Sequence, residues 1–429
     1  MRRKKIFTLV VIFVAVGFVL LRPGGGLRRW YGLKVIKSDL SAIDKHISRL
    51  ESTLDEKSPS AGALQDQINS LQNNVNGFVN RTINFVNRYP GRYPPEVLKN
   101  FINDFFRFDE IFIVRIIPRF GGVLDTDGIQ SFLSDKLVSF SEVVNIGDLN
   151  EYFQDLLQRN DYIFQEFRTA EIIAGIESRI PNSGAAKPLT KLKKDFLLFF
   201  AGRLQGAATS TMNLVEKYIT GAAGDPVRRL ALFDEVREDV LDSNVKTHLN
   251  IIRQEFLRKV GEKIDRSIAK RALTEAEEVI QNLKNEIGNR EGNVGRAVEQ
   301  SLSRAKFHLK QAQLFNKKNN YNSAFGQATA ATVAVRSVLL PLTIDIGEYQ
   351  GDIEIIKKQF DYLTVLIGKN NISDGAISKL MTETEKEILH VSRLLETDTE
   401  SSRTFTALNN LKISIGLIKQ RVQEAMTAG

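Results

Sequence analysis

The chain has 429 residues but no cysteine, four histidines and a single tryptophan. Without thiols there can be no disulfide, no thiolate nucleophile and no cysteine-based zinc site. The histidines, His46, His248, His308 and His390, are too few and too scattered to suggest a catalytic or metal constellation. Glu387 and His390 stand three apart, as on the helices of di-iron carboxylate bundles, but those sites repeat the motif and add two further carboxylates. No second Glu-x-x-His occurs, so this pair reads as a solvated helix face. His46 and His308 lie beside apolar seam positions and read as surface or boundary residues. Asp125-Thr126-Asp127-Gly128 has the outline of a calcium loop, yet Val123 and Ser134 stand where further acidic ligands are required. It reads as a turn followed by a helix N-terminus. The glycine patterns of phosphate loops, dinucleotide folds and nucleophile elbows are absent. Catalytic, cofactor-binding and metal residues are therefore assigned to none of the positions, and the chain is read as no enzyme.

Also missing is any sustained period-two alternation, so the expected class is all-α. The net charge of +8 is unevenly placed. Eight of the 59 Lys and Arg (Arg2, Arg3, Lys4, Lys5, Arg22, Arg28, Arg29 and Lys34) lie in residues 1–34, which hold no Asp or Glu; the remainder has 51 of each sign. A neutral body gives no bulk electrostatic case for binding nucleic acid. The basic excess sits beside the one long apolar run, where it would favour anionic headgroups.

That run is Ile6–Leu21, IFTLVVIFVAVGFVLL, closed by Arg22-Pro23-Gly24-Gly25-Gly26. As a helix it would be about 24 Å long, a little short of the roughly 30 Å hydrocarbon core; snorkelling Lys and Arg can close the gap. Trp30 and Tyr31 suit the headgroup layer. The expectation is a single transmembrane anchor contacting membrane lipid. Its rival is a cleaved signal peptide ending near Ala15-Val16-Gly17. The flanking charges nearly cancel; a short N-terminal tail staying in the cytoplasm would place the body outside the cell membrane.

After the glycines, Leu33, Ile36, Leu40, Ile43, Ile47, Leu50 and Leu54 follow a heptad seam. Lys57-Ser58-Pro59-Ser60-Ala61-Gly62 breaks it, and Leu64, Ile68, Leu71, Val75, Phe78, Thr82 and Phe85 resume it. The spacing predicts an antiparallel helical hairpin, with a parallel coiled coil between two chains as the alternative, and hence a possible homo-oligomer through residues 33–88. The organisation expected is an anchor and hinge at 1–32, the hairpin at 33–89, helical domains at 90–222 and 223–345, and a three-helix bundle at 346–429. Within the body, helices are expected over Gly128–Val144, Leu149–Ile180 and Leu189–Thr220, then a long one after Asp225-Pro226 and a capping box at Thr274 and Glu277. The apolar stretch Ile111–Ile117 fits either a helix or a strand. Gly202, Gly206, Ala207 and Ala208 make a small face for close helix packing in a soluble core, since Arg203 and Gln205 argue against a second span.

Ala312, Phe315, Tyr321, Ala324, Ala328 and Ala331, around the turn Lys317-Lys318-Asn319-Asn320, match the small/large spacing of one tetratricopeptide-like helical hairpin. The segment RAKFHLKQAQLFNKKNNYNSAFGQATAA from Arg304 also resembles a helical domain of unknown function in exported proteins of small-genome bacteria. The likeness spans about residues 225–340 and implies an exported helical module without catalytic residues.

The functional expectation is a membrane-anchored, extracytoplasmic helical scaffold or adaptor with a protein partner. The alternative is an extracytoplasmic ligand-binding or sensor domain that signals through a partner, and the third reading, ranked below both, is an enzyme with an unrecognised site. A scaffold predicts no large polar pocket in the body; a sensor predicts a cavity with convergent polar groups.

Overall fold

The computed structural model describes residues 26–56, 59–90, 95–120, 123–124, separate positions among 128–139, and 146–158, 163–178, 187–221, 225–261, 263–289, 296–343, 346–397 and 401–428. The apolar run Ile6–Leu21 and the acidic turn at Asp125, Thr126 and Asp127 lie outside them. Among the described residues the elements are helical and none is a strand. Contacts divide the chain into two units between Tyr152 and Phe153, inside helix α4 (Ile146–Gln158).

The first unit is the expected hairpin, closed by a third helix. Helix α1 (Gly26–Asp55) and helix α2 (Ala61–Arg88) are antiparallel: Arg81 donates to Asp39 at 2.5 Å and Gln67 to Thr53 at 2.7 Å, so position rises along one helix as it falls along the other. Ser60 caps α2 by accepting from the Ala63 amide. The seam is buried from Ile36 through Leu54 and from Leu64 through Phe85. A two-helix seam of this length is marginal alone, and α3 (Pro95–Ile111) covers it. Phe101 of α3 lies 4.8 Å from the Phe78 ring, and Arg107 binds Asp44, Ser48 and Glu51 along one side of α1. The seam is thus covered within one chain. The ambiguous stretch after α3 is a π-helical turn, Phe112–Ile116, leading into Ile117–Phe120.

In the second unit helices come shorter than periodicity suggested, because capping groups interrupt apolar patterns that run on. Of the expected Leu149–Ile180, the described residues form α4 and α5 (Ile163–Glu177), and 159–162 and 179–180 lie outside them. Leu189–Thr220 is α6 (Lys187–Gly206) and α7 (Thr209–Thr220), parted where Ala208 turns extended and its amide donates to Glu424 at 2.7 Å. The long helix after Asp225-Pro226 is three: α8 (Pro226–Asp239), α9 (Ser243–Gly261) and α10 (Arg266–Gly288). Asp225, Asp242 and Asp265 accept the first amides of these helices. Thr274 and Glu277 therefore lie inside α10 and form no cap. Helices α11 (Arg296–Lys317) and α12 (Tyr321–Thr343) make the hairpin read from the sequence; Asn319 takes its left-handed turn position at φ 56°. The chain ends in α13 (Gln350–Lys369), α14 (Gly375–Thr397) and α15 (Ser401–Ala428), which pack on one another.

The centre of this unit is α6, buried along most of its length. It crosses α15 at paired glycines. A methyl group on Gly202 would overlap the Ile413 carbonyl oxygen, one on Gly416 would overlap the Phe199 carbonyl, and each would lie 3.0 Å from the opposite glycine's Cα. Among the described residues one helix, Tyr321–Leu342, is long and apolar enough to cross a membrane. Half of it is buried in the unit, with Ala324, Phe325, Ala328, Ala331 and Val335 fully covered.

Two predictions follow from this packing. Gly202→Ala or Gly416→Ala should cost about 3 kcal/mol in urea unfolding, since backbone must move; Gly62→Ala, with open space around it, should stabilise by about 0.5–1 kcal/mol. In the first unit, burial and the nearby Asp44 push the Asp104 carboxyl up to about 7 despite Arg107. The folded state then keeps a proton that the unfolded chain loses near pH 4, so stability falls as pH rises from about 4 to about 7. Asp104→Asn should raise the melting temperature at pH 8, with the gain vanishing at pH 4.

Candidate functional site

The charged residues of the second unit are of two kinds, those engaged in holding helices together and those left at a surface. Those on α6 are of the first kind. Lys191, Lys193, Lys194, Asp195 and Arg203 each bond a residue on another helix. Asp195 accepts from Lys412 of α15 at 2.5 Å, and Lys412 also donates to Asp352 of α13 at 2.6 Å. Lys191 donates to Asp352 and lies at 5.9 Å over the Tyr349 ring. Two lysines and two aspartates make a neutral buried square. Burial pushes the Lys412 ammonium down, but Asp195 and Asp352 outweigh it and hold it up. Burial likewise opposes Asp352, whose carboxyl is nevertheless held below its usual range by Lys412 and Lys191. Arg203 donates to Glu166 of α5 at 2.9 Å and to Gln423 of α15 at 3.1 Å. Lys193 binds Glu177 of α5, and Lys194 binds Asp239 of α8 at 2.5 Å.

A second cluster joins α5, α7 and α8. Glu171 accepts from Arg229 at 2.7 Å, from Arg168 at 3.1 Å and from Tyr218 at 3.0 Å. Burial would raise this carboxyl, yet Arg229 and Arg168 bring it to about 2. A third chain, Glu235 of α8 to Arg336 of α12 at 3.1 Å and on to Glu275 of α10 at 2.7 Å, ties α8 to the α10–α12 layer. Buried charges paired in this way fix geometry more than they add stability.

Charges of the second kind meet in a groove of about 630 Å³. Helix α12 is its floor, α8 and α9 form one wall, and α11 the other. The floor is open because the residues that α12 presents there are mostly small: Ser323, Gly326, Ala330 and Ala334, at helical spacing. Asp234, fully buried at the base of the first wall, clamps it: Arg253 donates to its two oxygens at 2.7 and 3.0 Å and to the Gly326 carbonyl at 3.2 Å. Arg237 donates to Asp234 at 3.3 Å, to Asn250 at 2.8 Å and to Glu238 at 3.2 Å. Asn322 of the floor donates to the Leu257 carbonyl at 3.0 Å, against Gly261, which has no room for a side chain there. On the far wall, His308 Nδ1 meets Gln327 Oε1 at 2.7 Å.

Donors remain uncommitted in this frame. Arg304 has no ion-pair or hydrogen-bond partner among the described residues, and the Gln254 side chain is also free. Four arginines (Arg237, Arg253, Arg258 and Arg304) line the groove against Asp234 and Glu238, a formal excess of +2 on a neutral body.

His308, read from sequence as a boundary residue, lies in this groove; Phe315, expected to fill the gap inside the α11–α12 hairpin, lines it too and is half-buried. Asp234, Arg237, Arg253 and Arg304 were not singled out in the sequence, and a buried aspartate between arginines three and nineteen residues away carries no short motif. Glu387, whose carboxyl is raised by burial and by Glu383, and His390 lie on α14. No three His, Asp or Glu converge in metal-binding geometry among the described residues.

No family model matches the chain, and neither a curated protein nor a solved structure matches it.

The clamp gives a direct prediction. Asp234→Ala leaves Arg253 and Arg237 without their shared acceptor in a largely buried setting, and should cost about 3–5 kcal/mol in denaturant unfolding. Gln254→Ala, on the exposed rim, should change stability by less than about 0.5 kcal/mol.

Proposed function

We propose that the chain is a membrane-tethered, extracytoplasmic helical protein that works by binding, as a scaffold or adaptor for a protein partner, with the α8–α9/α11–α12 groove as its contact surface. The observation that carries this reading is the contrast in how charge is used. The charges of α6 are bonded between helices, whereas the groove keeps a rigid rim with free donors. A rim fixed by its own hydrogen bonds loses little freedom on binding. Tethering rests on the apolar run Ile6–Leu21 and its flanking basic residues. Trp30 and Tyr31, 60 % and 64 % exposed near the start of α1, suit a headgroup layer just beyond it. The resemblance of residues 225–340 to an exported helical domain agrees with this placement.

A second reading, a ligand-binding or sensor domain, is favoured by the groove itself, since about 630 Å³ is the size of a small-molecule site and a scaffold alone predicts none. It would still signal through a partner.

Two measurements in intact expressing cells test the main reading. External protease should digest the body, and a photo-crosslinker at Gln254 in the groove should give a discrete protein adduct that the same group at Glu354, on the outer face of α13, does not. A protected body contradicts the extracytoplasmic placement. Equal or absent adducts at the two positions contradict the groove as contact surface.

A further inference from the structure

The two rims of the groove carry exposed apolar side chains beside its donors. On α11, Arg304, His308 and Phe315 share the stripe that lines the groove. Ala305 and Ala312, on one side of that stripe, are fully buried. Phe307 and Leu314 lie on its other side, 59 % and 43 % exposed. On α9, Ile251 is 60 % exposed one helical step beyond Asn250 and two turns before Arg258, both of which line the groove. A basic channel is thus edged by apolar lips on both walls.

We infer that the groove recognises an acidic polypeptide segment in which apolar and carboxylate side chains are interspersed. This inference rests on the groove being the contact surface proposed above. Charge complementarity selects the sign. Both lining acids are already engaged by Arg237 and Arg253, and Glu255 holds Arg258 at 2.7 Å. Arg304 and the Gln254 amide are therefore the groups still able to take an acceptor, and Arg304 carries the charge. A guanidinium pairs with a carboxylate through parallel hydrogen bonds, which adds direction to charge. The lips select the pattern. Phe307 and Leu314 stand seven positions apart on one helix, both beyond Arg304, so their partner must offer apolar groups about two helical turns apart beside the carboxylate that meets Arg304. A small carboxylate would leave the lips uncovered, whereas a segment lying along the groove covers them.

The test uses the full chain in detergent micelles and three fluorescein-labelled twelve-residue peptides of alternating leucine with glutamate, glutamine or lysine, read by fluorescence anisotropy. The glutamate peptide should bind at least about tenfold more tightly than the glutamine peptide, the worth of one charge-assisted hydrogen bond, and should weaken as salt rises. Arg304→Glu should lose about that factor for the glutamate peptide alone, and Phe307→Ser should weaken it too. Both side chains are exposed, so an unchanged melting temperature shows that either variant is folded. Equal binding of the glutamate and glutamine peptides, weakened alike by Phe307→Ser, would overturn the acidic preference and leave the groove a contact surface. A melting temperature raised by octanoate with no peptide bound would overturn the inference in favour of a small carboxylate ligand. If nothing binds and Arg304→Glu changes nothing, both the inference and the groove reading fall.

Discussion

Gly202 and Gly416 let α6 and α15 meet backbone against backbone, and the second unit depends on that contact. With no side chains between them at this point, the helices come close enough for the flanking residues to reach across. Lys412 then reaches Asp195, Arg203 reaches Gln423, and the Ala208 amide reaches Glu424. A helix carrying five charges in its middle would ordinarily be a surface helix. Here each of those charges has a partner on another helix, and the desolvation cost is offset by pairing. Such pairing specifies one arrangement, because a shifted helix would leave a buried charge without its partner.

This rigidity extends to the groove. Asp239 of α8 is held by Lys194 of α6, Glu235 of α8 by Arg336 of α12, and Asp234 in between grips Arg253 of α9. One helix therefore links the charge clusters at the centre to the rim of the groove.

The parts legible in the sequence were those governed by local periodicity. The seam from Ile36 to Phe85 encodes its own partner helix, because both halves repeat at heptad spacing and a short segment containing Pro59 joins them. The alanines of the α11–α12 hairpin were legible for the same reason. Helix ends were less so. Asp242 and Asp265 each interrupt a pattern whose apolar spacing continues beyond them, and an aspartate gives the same local signal whether it caps or faces solvent. Least legible were α6 and the groove. Arg203 and Gln205 argued against a membrane span, and the small face predicted close packing, but the depth of burial depends on Lys412 and Gln423, more than two hundred positions away. Asp234 and Arg304 likewise join the groove through helices that are distant in sequence. Pairwise complementarity over such separations leaves no trace in a single chain's spacing.

The periodic apolar positions of α13, α14 and α15 alone suggest a terminal bundle that could open as a unit. The crossing at Gly202 and Gly416 implies instead that α15 is part of the centre. Native-state hydrogen exchange of the full chain, read by mass spectrometry of peptides from each helix, distinguishes the two. If the crossing governs the unit, the amides of α6 and α15 exchange together, at the slowest rate and only through global unfolding. If α15 exchanges with α13 and α14 at a faster rate while α6 stays protected, the central role given to the glycine crossing is wrong.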